Sequence, residues 1–289
     1  MIPFELLKPA TLHEAAALLN PDTPDIRPMG GGTALLLMMK AGVLRPRALV
    51  SLAATEPEFR EIALRPNGDL AIGALVTMSE LEHSELVKRA APAIARCMTQ
   101  LSNVRVRNVA TVGGNLAHAD PHMDLPPLLS ALDAYVLAVG PAGERRIPVD
   151  ALIQGYYETH LKGNELIAML VVPAQTGRRS AYVKVTTRSA DDWPALGVAA
   201  SLAMEGHSVV SSRLFVGAAT DRPTRLLAAE AVLAGRVPDA ALLRHAGEAA
   251  AEGVEFLADA QGSGAYKKEL LKVYLGRAIA KALADGSTP

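Results

Sequence analysis

The chain has 289 residues, half of them hydrophobic and a fifth charged, with 29 Lys and Arg against 30 Asp and Glu. Such a length predicts two compact domains, or one large domain with a lobe attached, and this composition is that of a globular rather than a disordered protein. A formal net charge of -1 provides no basic surface for a phosphate backbone, so we expect no nucleic-acid partner. The single cysteine, Cys97, excludes an internal disulfide and a cluster held by several thiolates.

The first residues predict where the protein resides. Residues 1–5 lack the basic start and apolar stretch of a signal peptide. No uninterrupted apolar run approaches the roughly 18 residues that a membrane helix needs. We therefore expect a soluble, cytoplasmic protein without membrane insertion.

Residues 1–55 predict a compact βαβ-like lobe. Thr11 and Glu14 have capping-box spacing, which marks the start of a helix. Three glycines at 30–32 precede an apolar helical stretch. The predicted elements are a strand at 4–7, a helix from Thr11, a helix at 34–40 and a strand at 47–52.

Residues 56–175 predict a second subdomain with two hairpins. Pro66-Asn67-Gly68-Asp69 is a turn sequence between two apolar runs. Ser79 and Glu82 have a second capping-box spacing. The predicted elements are strands at 61–64 and 70–74, a helix at 86–98, strands at 133–139 and 145–149, and a buried strand at 165–172.

The polar segment 174–179 predicts a domain boundary. The residues beyond this segment have first the apolar pattern of strands and then that of helices, which is an α+β arrangement. We expect a domain at 1–175, with subdomains 1–55 and 56–175, and a second domain at 176–289. The predicted elements of the second domain are strands at 181–187, 195–204 and 209–218 and helices at 224–234, 238–251 and 266–284.

The first segment that could carry chemistry runs from Pro28 to Leu35. Its consecutive glycines allow a backbone to approach an anion closely, and the following helix would direct free N–H groups at that anion. Leu35 stands where a dinucleotide fingerprint needs its third glycine, and no Gly-Lys-Ser/Thr follows as in a P-loop. The pattern indicates a phosphate cradle, with a simple glycine-rich turn before a helix as the alternative.

The second segment spans residues 107–117. Thr111 and Asn115 flank the pair Gly113-Gly114, so a hydroxyl, an amide and accessible backbone lie within five residues. This set suits a diphosphate, whereas the nearby Asp124 would accept hydrogen bonds from sugar or ribityl hydroxyls. Two such segments about eighty residues apart point to a dinucleotide.

Two further segments leave alternatives open. His118, Asp120, His122 and Asp124 could ligate a metal, but Pro121 disfavours the helix that would align the histidines, and surface histidines in a ligand loop are the simpler expectation. Segment 184–193 gathers two cations, two anions and the only tryptophan. Taken alone, that segment is typical of a solvated loop with local ion pairs.

Together these motifs resemble the FAD-binding medium subunit of the molybdenum hydroxylases, the family of xanthine, aldehyde, carbon monoxide and N-heterocycle dehydrogenases. The resemblance extends through the C-terminal helices and covers essentially the whole chain. Its motifs occur in order as Gly31-Gly32-Thr33 with Met39-Lys40, Arg107 to Asn115 with Asp124 and Pro127, and Lys184 with Arg188 and Asp192.

The resemblance implies an α+β protein: a two-subdomain FAD-binding fold of the PCMH or vanillyl-alcohol-oxidase type, then a C-terminal α+β domain with a three-stranded antiparallel sheet and helices. It implies that Lys184 lies near the flavin pyrimidine edge and raises the flavin potential. Trp193 is implied either beside the isoalloxazine or in the core. The implied FAD contacts are Pro28, Met29, Gly30, Gly31, Gly32, Thr33, Ala34, Leu35, Thr111, Val112, Gly113, Gly114 and Asn115 at the diphosphate, Asp124 at a hydroxyl, and Leu101, Ile167 and Lys184 along the remaining cofactor.

The resemblance also implies an electron-transfer role with no catalytic side chain in this subunit. A large partner would hold the molybdenum cofactor and a small partner the [2Fe–2S] clusters, in a heterotrimer or its dimer. FAD would pass the electrons to an external acceptor. Two alternatives remain: a self-sufficient FAD-dependent oxidase or dehydrogenase of a small alcohol or amine, and a non-catalytic nucleotide-binding module.

Overall fold

The computed structural model describes residues 2–22 and 25–285. The last four residues of the predicted C-terminal domain, 286–289, lie outside the described residues. Described strands form sheets of three, five, four and two strands. The three larger sheets follow one another along the chain, with helices between the strands of the first two and after the last strand of the third.

The first sheet is parallel, with its third strand in the centre. The helix predicted from Thr11 is confirmed, and the Thr11–Glu14 capping box is present. The sequence interpretation missed the edge strand that contains Pro28. Proline has no N–H to donate to a neighbouring strand and is confined to positions such as sheet edges, so its segment does not have the pattern of a central strand. The elements are β1 (Glu5–Leu7), α1 (Leu12–Ala17), β2 (Ile26–Met29), α2 (Thr33–Lys40) and β3 (Ala48–Ser51).

The second sheet is antiparallel, and its five strands, numbered in chain order, lie in the order 1-2-5-3-4 across the sheet. Both predicted hairpins are part of it. Six helices are inserted between its second and third strands in the chain. The elements are β4 (Ile62–Leu64), β5 (Leu70–Gly73), α3 (Met78–His83), α4 (Glu85–Ala90), α5 (Pro92–Met98), α6 (Val104–Arg107), α7 (Val112–His118), α8 (Leu125–Ala131), β6 (Tyr135–Gly140), β7 (Gly143–Pro148), α9 (Val149–Leu152), β8 (Ile153–Gly155), β9 (Glu158–Thr159) and β10 (Leu166–Val172).

Two local predictions in this region are wrong. The capping box of α3 is formed by Thr77 and Glu80, whereas Glu82 pairs with Arg107 across 2.8 Å. The single helix predicted at 86–98 is divided into α4 and α5, because Pro92 lacks the N–H that a continuous helix requires and instead begins a new helix.

The third sheet is antiparallel and contains the three predicted strands of the C-terminal region. A two-residue strand adds a fourth at its edge, where the sequence predicted the start of a helix at Thr224. The elements are β11 (Arg178–Val185), β12 (Leu196–Glu205), β13 (Ser208–Gly217), β14 (Thr224–Arg225), α10 (Leu227–Leu233), α11 (Ala240–Glu252) and α12 (Gly264–Asp285).

Helix α8 connects the second and third sheets through a shared core. All seven of its residues are buried, and it contacts β12 and β13. A Cβ on Gly217 would lie 3.0 Å from Pro127 Cγ, so the backbone of β13 comes close to the helix. Tyr182 and Phe215 of the third sheet belong to the same hydrophobic core as the helices of the second region.

Candidate cofactor site

The structure brings the two predicted glycine segments into direct contact. A Cβ on Gly31 would lie 1.9 Å from the carbonyl oxygen of Val109, and one on Gly30 would lie 2.8 Å from Thr111 Oγ1. Real Cβ atoms do not approach other heavy atoms so closely, so the two loops can pack in this way only with glycine at these positions. We call this contact the glycine junction, formed by residues 30–32 and 109–114.

Helix α2 begins at the glycine junction without a side-chain cap. Its N-cap is Gly32, which has a left-handed backbone with φ of 70° and forms no side-chain capping hydrogen bond. The first N–H groups of a helix lack intrahelical acceptors and carry partial positive charge. Residues Thr33 to Leu35 therefore occupy a place where an anionic group would be stabilised. Pro28 and Met29 precede them in the edge strand β2.

Thr111 organises the second loop. Its hydroxyl accepts a hydrogen bond from the N–H of Gly114 at 3.2 Å. The N–H of Gly113 donates to the carbonyl of Ala74 at 2.8 Å, and a Cβ on Gly113 would lie 2.7 Å from Ala74 Cβ. The loop is thus fixed against the segment that joins β5 to α3, and Val112 is fully buried.

Arg107 stabilises the approach to this loop. It pairs with Glu82 at 2.8 Å and donates to the carbonyls of Leu101 and Ser102 at 3.2 and 2.7 Å. The predicted contacts Leu101 and Ile167 are each 6% exposed and lie in the same core as Val112. The structure therefore places these two residues in the apolar part of the region rather than in the glycine junction.

Asn115 contains a buried acceptor without a partner. Its amide nitrogen donates to Met123 Sδ at 3.0 Å, but its Oδ1 atom is buried and has no hydrogen bond. A buried, unsatisfied carbonyl costs free energy and requires an explanation. A donor from a bound molecule would satisfy it. Together with the glycine junction, this atom fits a ligand that combines anionic groups with hydroxyl donors, as FAD does.

Asp124 and Lys184, predicted from separate motifs, form a buried ion pair. Lys184 Nζ lies 3.0 Å from Asp124 Oδ2 and also donates to the carbonyl of Gln100 at 2.9 Å. Burial raises the pKa of Asp124, and Lys184 and Tyr182 only partly oppose that increase. Any effect of Lys184 on the flavin is therefore that of an ion pair, not of an isolated ammonium.

A second polar network was missed as such by the sequence interpretation. His122 Nδ1 lies 3.0 Å from Asp120 Oδ1, and His122 Nε2 lies 2.9 Å from Asp259 Oδ2. Asp259 also pairs with the fully buried Lys267, and the hydroxyl of Tyr157 donates to Asp120 at 2.9 Å. We call these five residues the His122 network.

The geometry favours the imidazolium form of His122, because both ring nitrogens face carboxylates and can both donate only in that form. Burial alone lowers the pKa of His122, but hydrogen bonds to Asp120 and Asp259 outweigh it and raise the pKa overall. The expectation of surface histidines is wrong for His122, whose side chain is 11% exposed. The network also uses both nitrogens that a metal would need, and no group of three or more potential ligands converges within residues 2–22 and 25–285.

Trp193 stacks on the imidazole of His122, with ring centroids 5.2 Å apart and planes 7° apart. It is 53% exposed, so a core role is wrong. The predicted solvated loop is correct for most of its segment, since residues 186–193 lie outside any strand and are largely exposed, but not for the first two residues. Arg188 is exposed, whereas Lys184 lies within β11 and is buried.

Three non-glycine residues around the His122 network have left-handed backbone. They are connected to it directly: the N–H of Tyr157 donates to the carbonyl of Ala119 at 3.0 Å, and Lys267 Nζ donates to that of Ala218 at 2.8 Å. Such conformations are unfavourable for residues with a Cβ and cluster at functional sites. The φ angles are 52°, 57° and 63° for Ala119, Tyr157 and Ala218.

Comparison with known proteins identifies the family. Residues 2–175 match the family model described as the FAD binding domain in molybdopterin dehydrogenase, and residues 181–282 match that of the CO dehydrogenase flavoprotein C-terminal domain. The chain belongs to this family of FAD-binding subunits. None of the helices within the described residues is long and apolar enough to cross a membrane.

Individual relatives agree with this assignment over nearly the whole chain. The carbon monoxide dehydrogenase medium chain of Hydrogenophaga pseudoflava is 32% identical, covering 98% of this chain and 99% of its own. A solved structure of carbon monoxide dehydrogenase from the same organism has a TM-score of 0.93 at 33% identity, covering 99% of each chain. The putative xanthine dehydrogenase FAD-binding subunit of Escherichia coli is 30% identical over 76% of each chain.

These comparisons confirm the predicted family, the mixed α and β fold with an FAD-binding domain followed by a C-terminal domain, and FAD as the cofactor. The chain is therefore an FAD-binding medium subunit of an oxidoreductase complex of the molybdenum hydroxylase type. The comparisons do not favour the alternative of a self-sufficient FAD-dependent oxidase or dehydrogenase. The exact domain limits and the roles of individual residues remain predictions.

Proposed function

We propose that this chain receives electrons on FAD from [2Fe–2S] clusters of a small partner subunit and passes them to an external acceptor. A large partner subunit with the molybdenum cofactor would oxidise the organic substrate, in a heterotrimer or its dimer. The observation that carries the proposal is the glycine junction beside the unpartnered Asn115 acceptor, in a chain without the thiols to hold a cluster.

The proposal assigns binding rather than proton transfer to the side chains of this subunit. Residues 28–35 and 111–115 would hold the diphosphate, and Asp124 would accept a hydrogen bond from a sugar or ribityl hydroxyl. Leu101, Ile167 and Lys184 would line the remaining cofactor. The flavin supplies the redox chemistry when bound, while the protein determines its position and potential.

The state of Cys97 supports the need for a partner. Cys97 is 2% exposed, and burial raises its pKa, whereas a reactive cysteine needs an accessible thiolate. An inert thiol fits the proposal that the electrons come from metal centres on another chain. A single thiol also fits a reducing compartment, and the predicted cytoplasmic location is part of this proposal.

Isolation of the full-length chain with an affinity tag from its own cells tests the proposal. We expect two further chains to co-purify, with FAD, molybdenum and iron in a constant ratio across the elution peak. Absorbance spectra would measure flavin, and elemental analysis would measure the metals. Purification of the chain alone, with FAD that a small alcohol or amine reduces directly, would support the self-sufficient alternative and contradict the proposal.

A further inference from the structure

Strand β11 directs two polar side chains at one carboxylate. Tyr182 and Lys184 are two residues apart and therefore lie on the same face of the strand. The hydroxyl of Tyr182 donates to Asp124 Oδ1 at 2.8 Å, and Lys184 Nζ donates to Asp124 Oδ2 at 3.0 Å. Both oxygens of a buried carboxylate from the N-terminal region are thus held by the C-terminal sheet.

The neighbouring strand leaves room for the hydroxyl of Tyr182. A Cβ on Gly197 of β12 would lie 2.3 Å from that oxygen and 3.1 Å from the ring carbon that bears it. Tyr182 is 3% exposed, so its hydroxyl lies in the interior rather than in solvent. Glycine at 197 is therefore required for the tyrosine hydroxyl to reach Asp124.

The two donors leave part of the carboxylate free. Each oxygen of an ionised carboxylate has two lone pairs, and each described donor uses one. The same two contacts fix the plane of the carboxylate. Asp124 consequently retains acceptor capacity in a fixed direction, which is what recognition of a ligand hydroxyl requires.

We propose that Tyr182 is a positioning residue of the flavin site, which together with Lys184 orients Asp124 to accept a hydrogen bond from a hydroxyl group of FAD. This inference rests on the proposed role of Asp124. It extends the cofactor site beyond the residues that the family motifs mark, into a tyrosine and a glycine of the C-terminal sheet.

The charge of Asp124 provides a measurable consequence. The titratable groups that face it are Lys184, Tyr182 and Cys97. Burial raises the pKa of Asp124, and the Tyr182 hydroxyl is one of the two groups that oppose this increase. Without the hydroxyl, the carboxylate would bind a proton at a higher pH and become a weaker acceptor there.

The substitution Tyr182→Phe in the tagged complex tests the inference, with FAD release after dilution measured by flavin fluorescence across a pH series. We expect FAD retention to weaken by about tenfold, the effect of one hydrogen bond to a charged group. We also expect the pH at which half of the FAD is lost to rise. Tyr135→Phe is the matched control, because Tyr135 is buried and its hydroxyl has no partner within the described residues.

Each outcome decides a separate point. Unchanged retention and an unchanged pH midpoint in Tyr182→Phe would overturn the inference, and so would a lower melting temperature without a shift of that midpoint. Asp124→Asn separates the inference from the role on which it rests. If that variant retains FAD normally, the role of Asp124 fails first. If Asp124→Asn loses FAD and Tyr182→Phe does not, only the positioning role fails.

Discussion

The glycine junction and the His122 network are stabilised by different kinds of interaction. In the junction, backbone packs against backbone, and a Cβ at Gly31 would lie 1.9 Å from a carbonyl oxygen. In the network, charged side chains far apart in the chain pair in a buried environment, with His122 and Asp259 separated by 137 residues. The first depends on the absence of side chains, and the second depends on their charge.

This difference determines how each region responds to change. Steric packing is independent of pH but does not accommodate added volume. A buried charge network keeps its packing when a charged side chain is replaced by a neutral one of the same shape. The opposite charge is then left buried and unpaired, which is destabilising. The two regions can therefore be distinguished by separate experiments.

The largest effect on stability is expected from Asp259→Asn. The variant keeps the shape of the side chain but leaves Lys267, which is 0% exposed, without its carboxylate. Breaking a buried ion pair in this way costs about 3 to 5 kcal/mol. Denaturant unfolding would measure the loss. Glu255→Gln is the control on the same segment, because Glu255 is exposed, and an equal loss in both variants would contradict the assignment.

Next in size is Gly31→Ala, which tests the glycine junction. The added Cβ would collide with the carbonyl of Val109 and force the two loops apart, at a cost of about 1 to 3 kcal/mol. Because the loops form the cradle, we also expect most of the FAD to be lost. Flavin content and thermal unfolding would check both effects.

Gly276→Ala provides the control for that experiment. A Cβ at Gly276, within α12, would make only an ordinary contact of 3.4 Å with Leu243. Alanine also has the better helix propensity. Full FAD content is expected in this variant, and full FAD content in Gly31→Ala would disprove the cradle.

A smaller and graded effect is expected from pH. The pKa of His122 in the folded protein is raised above its usual 6.5, so its stabilisation is complete below that value and is lost as pH rises through the higher, folded-state pKa. Asp120 and Asp259 have lowered pKa values and remain charged in this range. Thermal unfolding at several pH values should show this loss, and His122→Gln should flatten the curve.

The smallest effect is expected at the cap of α3. Thr77→Ala removes the hydroxyl that accepts from the N–H of Glu80 and should cost about 1 kcal/mol. Ser79→Ala, at the position that the sequence wrongly identified as the cap, should change stability by less than about 0.5 kcal/mol. Equal losses in thermal unfolding would mean that the cap is misassigned.

Local signals explain which parts of the fold could be predicted. The Thr11 capping box and the Pro66-Asn67-Gly68-Asp69 turn depend on residues within a few positions, and both occur as expected. The division of the predicted helix at Pro92 also has a local cause that the apolar periodicity concealed. Strand β2 is different, because its pairing with β3 is determined by the sheet rather than by its own sequence.

The site shows the same division. Glycine-rich motifs marked both loops because close backbone approach needs glycine wherever it occurs. Tyr182 and Asp259 had no such signal, since Tyr182 lies 58 residues from its partner Asp124 and Asp259 lies on a segment without a motif. Their roles follow only from the way in which the C-terminal region packs on the N-terminal one.

The complete burial of α8 has a consequence for how the chain can be divided. A break between residues 175 and 181 would leave the helix with an apolar face open to water on one fragment, and β12 and β13 without their cover on the other. We expect such fragments to aggregate when produced separately and to recover structure only when produced together. Exchange of C-terminal halves between relatives would likewise succeed only where the close approach of Pro127 to Gly217 is preserved.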